Sequence, residues 1–285
     1  MSTPDPPAVP KLSEVLTLLD ERYDPAWAEP WDAVGLVCGD PDAPVRRVAL
    51  AVDPVQPVVD EALAGGADLL ITHHPLYLKG TTGVPATTFK GRVVHTLIRG
   101  GCALYTAHTN ADTADPGVSD ALAAALGLTV LRPLVPDPGD PDGRRGIGRV
   151  CALPEPLTLA EFAERAARSL PATRAGLRVA GDGGQVLRTV AVSGGAGDSF
   201  FAEVRAAGVD AYLTADLRHH PAAEAREAAP VALIDAAHWA TEHPWLDQAA
   251  ELLREDAARR GWEIEVTVSR LVTDPWTSAW PASTD

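Results

Sequence analysis

Gly66-Ala-Asp-Leu-Leu-Ile-Thr72 and Gly208-Val-Asp-Ala-Tyr-Leu-Thr214 decide how this chain folds, because each closes one copy of a pattern repeated at a constant offset of 142 positions (208 − 66). The copies open with Val48-Ala-Leu-Ala-Val52 and Val190-Ala-Val-Ser193, at the same offset. Each reads as strand, turn, helix, strand. An apolar, β-branched run meets a breaker (Asp53-Pro54 or Gly194-Gly195), an Ala/Glu-rich helical segment follows, and Gly-x-Asp leads into a second apolar run. Two βαβ units are expected, and the fold class is α/β.

A further apolar run follows each unit: Cys102-Ala-Leu-Tyr-Thr-Ala107 ahead of His108, and Val231-Ala-Leu-Ile-Asp-Ala-Ala237 ahead of His238. Parallel strands joined by right-handed crossovers all point one way, so their C-terminal ends share an edge where ligands bind. The chemistry is therefore expected just after Thr72, Ala107, Thr214 and Ala237.

Outside the repeats, residues 132–145 are crowded with Pro, Gly and Asp and read as a linker or a solvated loop, where the boundary between a first α/β domain (1–131) and a second (146–234) is placed. Gly146 to Leu153 is a short strand. Thr158-Leu-Ala-Glu161 is a capping box that starts a helix running to about Leu170. Leu12 to Leu19 has helical amphipathicity, and the alternation from Trp262 to Val268 predicts a half-buried strand. Residues 274–285 are expected to be loosely ordered.

The chain has 285 residues, which suits two domains or one large one, and 46% hydrophobic with 22% charged residues is a globular mix. No apolar run approaches the eighteen or so residues of a membrane span, and the first ten residues have neither a basic start nor an apolar stretch; a cytoplasmic location is expected. Cys38, Cys102 and Cys151 form no Cys-x-x-Cys pair, so they are read as buried thiols rather than a disulfide framework or a thiolate metal site. With 24 basic and 39 acidic residues the net charge is −15, which argues against a nucleic-acid footprint and favours binding cations.

Three clusters fall at the expected strand ends. Thr72-His73-His74-Pro75 sets two imidazoles where Pro75 ends the strand. Both can then serve one site; the plain alternative is a loop with one packed and one exposed ring. His108-Thr-Asn-Ala-Asp112 adds an imidazole and a carboxylate, although Asn and Asp there also suit the cap of a helix beginning near Val118. His238-Trp-Ala-Thr-Glu242 spaces an imidazole and a carboxylate one helical turn apart. Together His73, His74, Asp112, His238 and Glu242 offer more donors than one tetrahedral zinc with an open position needs. Adjacent histidines do not readily chelate one ion, so two divalent metals, about 3.5–4 Å apart and bridged by a carboxylate, fit better. Zn, Fe, Mn, Co and Ni all suit this donor set.

Other features carry two readings each. Ser193-Gly-Gly-Ala-Gly-Asp-Ser199 is a tight turn or a phosphate cradle. In Thr214-Ala-Asp216-Leu-Arg-His219-His220-Pro221, Asp216 and one histidine back up the metal ligands, or the pair opens the next helix. His95 reads as structural and His243, before Pro244, as a helix-end residue.

These motifs, with Trp31-Asp-Ala-Val-Gly-Leu36, Pro116-Gly-Val-Ser-Asp-Ala-Leu122 and Gly146-Ile-Gly-Arg149, occur in the order seen in the GTP cyclohydrolase I type 2 homologue family, also called NIF-three-like, which the chain resembles over nearly its whole length. The resemblance implies two interlocked α/β domains, the first completed by residues 235–285, and a toroidal homohexamer with a two-metal site facing its central cavity. It assigns the same five ligands, His73, His74, Asp112, His238 and Glu242. It also implies metal-dependent hydrolysis of the purine ring of GTP at C8, with release of formate. His108 is then a proton shuttle or a contact that supports a ligand. The rival is a non-catalytic metal-binding or regulatory ring, or a metal-trafficking protein. Where relatives usually carry Asn and Gly, this chain has Ala33 and Ala215.

Overall fold

The computed structural model describes residues 8–280. Its first half runs α1 (Leu12–Arg22), β1 (Gly35–Cys38), β2 (Arg47–Ala51), α2 (Gln56–Ala64), β3 (Leu69–Thr72), α3 (Phe89–Gly100), β4 (Ala103–Thr106), α4 (Thr109–Thr113), α5 (Val118–Ala125) and β5 (Thr129–Pro136). Then come β6 (Gly146–Thr158), α6 (Leu159–Ser169), β7 (Arg178–Ala180), β8 (Val186–Ala196), α7 (Phe201–Ala207), β9 (Ala211–Ala215), α8 (His219–Ala228), β10 (Ala232–Ala236), α9 (His238–Arg259) and β11 (Glu265–Val268). The chain divides into two compact units, Met1–Ala111 with Leu246–Thr273, and Asp112–Trp245 with Asp274–Asp285.

The first unit is built on a five-stranded sheet in the order β1-β4-β3-β2-β11. Its strands are parallel except β1, which lies antiparallel on the β4 edge. The second unit is built on a six-stranded sheet, β5-β6-β8-β9-β10-β7, whose β8, β9 and β10 are parallel. The strand-helix-strand repeat is therefore present in both, as β2-α2-β3 and β8-α7-β9.

The repeated Gly-x-Asp has a physical cause. Gly66 and Gly208 end their helices with φ of +70° and +65°, a conformation that costs any residue with a Cβ. Two residues on, Asp68 Oδ2 accepts hydrogen bonds from the backbone N–H of Arg46 and Arg47 at 2.7 and 2.9 Å. Asp210 Oδ2 accepts the equivalent pair from Arg188 and Thr189 at 2.8 and 2.9 Å. Each aspartate thus satisfies two backbone donors at the start of the neighbouring parallel strand and fixes its register. The strands that follow are buried end to end, β3 as Leu69-Leu-Ile-Thr72 and β9 as Ala211-Tyr-Leu-Thr-Ala215. Each fully buried Leu there contributes about 1.5–3 kcal/mol of burial free energy.

Local expectations hold at α1, at β11 and at α6, where Thr158 and Glu161 form the capping box. Three readings need correction. Residues 132–145 are not an interdomain linker: β5 continues through Pro136 and pairs antiparallel with β6, residues 137–145 are the largely exposed loop between them, and the unit divisions fall elsewhere. Pro133 and Pro136 fit because β5 is an edge strand, where a missing N–H breaks no ladder. The strand from Gly146 is thirteen residues long, not short. Cys38 is half-buried, while Cys102 and Cys151 are buried with thiols pushed up to about 12 by desolvation. Residues 274–280 have no helix or strand, and residues 281–285, like the first seven, lie outside the described residues. Among the described residues no helix is long and apolar enough to cross a membrane.

Candidate metal centre

In the first unit, β3 ends at Thr72 and the chain turns at once, Thr72 Oγ1 donating to the carbonyl of His74 at 3.0 Å. This turn stops the alternation that would send neighbouring side chains to opposite faces. The rings of His73 and His74 lie with centroids 5.2 Å apart. His108 follows β4, and Asn110 Oδ1 accepts its backbone N–H at 2.9 Å as α4 begins. The His108 ring centroid is 5.2 Å from that of His73 and 5.6 Å from that of His74. One ring nitrogen from each of His73, His74 and His108 lies within 4.8 Å of the others, close enough to hold a metal ion.

The outward nitrogen of each ring is Nε2, because each Nδ1 is tied down. His73 Nδ1 pairs with the Ala107 carbonyl at 2.9 Å, His74 Nδ1 with Asp53 Oδ1 at 2.7 Å, and His108 Nδ1 with Asp32 Oδ1 at 2.8 Å. A carbonyl only accepts, so His73 carries its proton on Nδ1 and keeps a lone pair on Nε2. This carboxylate- or carbonyl-backed imidazole is the usual support of a metal-binding histidine. Asp32 also accepts from the backbone N–H and the hydroxyl of Thr109. Burial alone would push the Asp32 carboxyl up, but the hydrogen bonds from His108 and Thr109 outweigh it and hold it well below the usual carboxylate range.

In the second unit, β10 ends at Ala236 and His238 opens α9. His238 Nδ1 pairs with Asp216 Oδ2 at 2.7 Å, and its Nε2 lies 2.9 Å from Oε1 of Glu242, whose side chain is buried. With the proton of a neutral ring on Nδ1, both atoms of that second contact are acceptors. It holds only with a positive charge between them, a proton or a metal ion, and so the pair fits a bound cation. Asp216 takes φ +57°, a left-handed conformation that Asp tolerates better than most residues. A three-histidine group able to hold a metal ion is thus present in the first unit, and a His-Glu pair that fits a cation in the second. Asp112 is half-buried in α4, at the residue where the second unit begins.

The remaining histidines lie apart from these groups in role. His95 Nε2 pairs with the Val84 carbonyl at 3.0 Å, a structural contact. His219 and His220 open α8 and are exposed, as the second reading of that motif has it, while of the first reading only Asp216 is realised, as the support of His238. His243 does not end a helix: α9 continues past Pro244 to Arg259, and His243 is buried with its ring 4.8 Å from that of Trp239.

Residues 10–275 match the Duf34/NIF3 (NGG1p interacting factor 3) family. The chain belongs to this family. It is 66% identical over 270 residues, 95% of each chain, to a GTP cyclohydrolase 1 type 2 homolog of Streptomyces coelicolor, and 31% identical, over 93% of this chain and 98% of the relative, to one of Clostridium perfringens. Among solved structures, a hypothetical protein of Staphylococcus aureus superposes with a TM-score of 0.87 at 27% identity, covering 96% of this chain and all of that one. A NIF3-related protein of Bacillus cereus shares the fold, with a TM-score of 0.88 at 24% identity, covering 95% and 100%.

Within this NIF3 chain the sequence reading missed Asp32 and Asp53 as supports of His108 and His74. It also missed the role of the glycine turn. A Cβ on Gly194 would meet Val118 at 2.7 Å, and one on Gly195 would stand 2.5 Å from Glu242 Oε1 and 3.1 Å from His238 Nε2. The Gly195 N–H donates to Thr241 Oγ1 at 2.9 Å, which seats the turn on the first turn of α9. Gly195→Ala is expected to lose roughly 1 kcal/mol from its φ of +66° and to displace Glu242 as well. Gly208→Ala meets nothing within 4 Å at a φ of +65°, and so carries the backbone cost alone. Thermal melts with and without Zn should show both variants destabilised but only Gly195→Ala losing the stabilisation that Zn confers; equal Zn stabilisation in both would contradict this role.

Proposed function

We propose that the protein is a dinuclear metal-dependent hydrolase, in which His73, His74, Asp112, His238 and Glu242 hold two divalent ions of the Zn, Fe, Mn, Co or Ni class. One observation carries this reading: His73, His74, His108 and His238 all have Nδ1 fixed on an oxygen acceptor, which leaves Nε2 as the donor of each. Three imidazoles in one unit, and an imidazole with carboxylates in the other, are together the mixed N and O donors that such ions favour. Bound divalent ions would supply hydroxide at neutral pH by lowering the pKa of water toward about 7.

The substrate proposed is GTP, in line with the name carried by the Streptomyces and Clostridium relatives, with hydrolysis of the purine ring and release of formate. His108, oriented through Asp32, holds and passes a proton at Nε2. Its place beside His73 and His74 also makes it a candidate ligand. Incubating GTP with protein loaded with each of the five metals, while following formate and pterin-type fluorescence, tests the proposal. Formate release that needs metal is expected. Failure with all five would leave a metal-binding protein without this activity.

A further inference from the structure

Trp31 is the residue of this site that neither the ligand set nor the fold uses. Its indole lies edge-on to His108, with ring centroids 6.0 Å apart and planes at 79°, and yet 56% of the residue is exposed. Single exposed hydrophobic residues are ordinary on protein surfaces. Trp276 and Trp280 are more exposed still, but they lie in a segment without helix or strand.

The backbone around Trp31 is pinned from both sides to the start of α4. Asn110 Nδ2 donates to the Tyr23 carbonyl at 2.7 Å and the Glu29 N–H donates to Thr109 Oγ1 at 2.9 Å. Asp32, next to Trp31 in the chain, is held by His108 and Thr109. The backbone that carries the indole is thus fixed in advance beside the His73-His74-His108 group, so a ligand that covers the ring orders little of the main chain on binding.

We propose that Trp31 is a stacking platform that holds a flat heteroaromatic ring, of the purine class, against this histidine group. The inference rests on the proposed function for the identity of that ring. A base has a π-face whatever its substituents, and stacking on an aromatic side chain contributes to binding without hydrogen-bond readout. Trp31 is a positioning residue here; it forms no bond with the reacting atoms.

Equilibrium dialysis of metal-loaded, full-length protein against GTP, free guanine and inorganic triphosphate tests the platform. Trp31→Ala should weaken GTP and guanine binding roughly ten- to a hundredfold and leave triphosphate binding unchanged, while Trp31→Phe keeps most of the affinity. Metal content and melting temperature should match the wild type, since Trp31 lies largely outside the core. Equal GTP affinity in wild type and Trp31→Ala overturns the platform, as does equal loss of GTP and triphosphate, or a wild type that binds neither GTP nor guanine. Trp31-dependent binding without formate release would keep the platform and overturn the hydrolase reading.

Discussion

Arg149→Met is expected to destabilise the protein by about 3–5 kcal/mol, the usual cost of removing one partner from a buried ion pair. The Arg149 side chain is 1% exposed and makes a forked pair with Asp120, Nε to Oδ1 at 2.8 Å and Nη2 to Oδ2 at 2.6 Å. Its remaining donors reach the carbonyls of Ala114, Gly146 and Gly148. One guanidinium thus ties the segment leading into α5 to the start of β6. Met restores the volume but leaves Asp120 with the Gly117 N–H and without its counter-charge. Lys at this position supplies charge without the planar fork, so Arg149→Lys should fall between. Thermal melts should show Arg149→Met lowered by roughly 10 °C, and Arg149→Met with Asp120→Leu should recover part of that loss. A shift of under about 1 kcal/mol, the value of a surface pair, would show that the burial does not make this pair structurally important.

The parts of the fold that were legible in the sequence are those set by local chemistry. Asp68 and Asp210 read as equivalent because each satisfies the same two backbone donors across a parallel strand, and a fixed offset exposes such a need directly. Strand ends were legible for the same reason, since His73, His108 and His238 each follow an apolar run. What was not legible depends on partners distant in the chain. Asp32 lies 76 residues from His108, and no local rule distinguishes an anchoring carboxylate from a solvated one. Pro133 breaks a central strand but not an edge strand, and edge position is a property of the sheet, not of the segment. Gly195 resembles any turn glycine until Glu242 is placed against it.

Protein loaded with Zn and cleared of excess by gel filtration should carry about two ions per chain, and His74→Ala with Glu242→Gln should carry none. The pair is chosen because each residue stands in a different unit, so the donor group of each unit loses one of its ligating atoms in the double variant. Glu242→Gln preserves the shape beside Gly195 while removing the charge facing His238 Nε2, which separates loss of a ligand from loss of packing. Asp53→Asn and Asp216→Asn leave all five proposed ligands in place but weaken the hydrogen bonds that orient His74 and His238. Each should lower metal affinity about 10- to 100-fold, with the ions still bound at saturating Zn. His108→Ala divides the two roles open to that residue: two retained ions with slower turnover mark a proton carrier, and one lost ion marks a ligand. Full metal content in the double variant would break the assignment at its root, since the lone pairs presented by the anchored rings would then be serving something other than a metal.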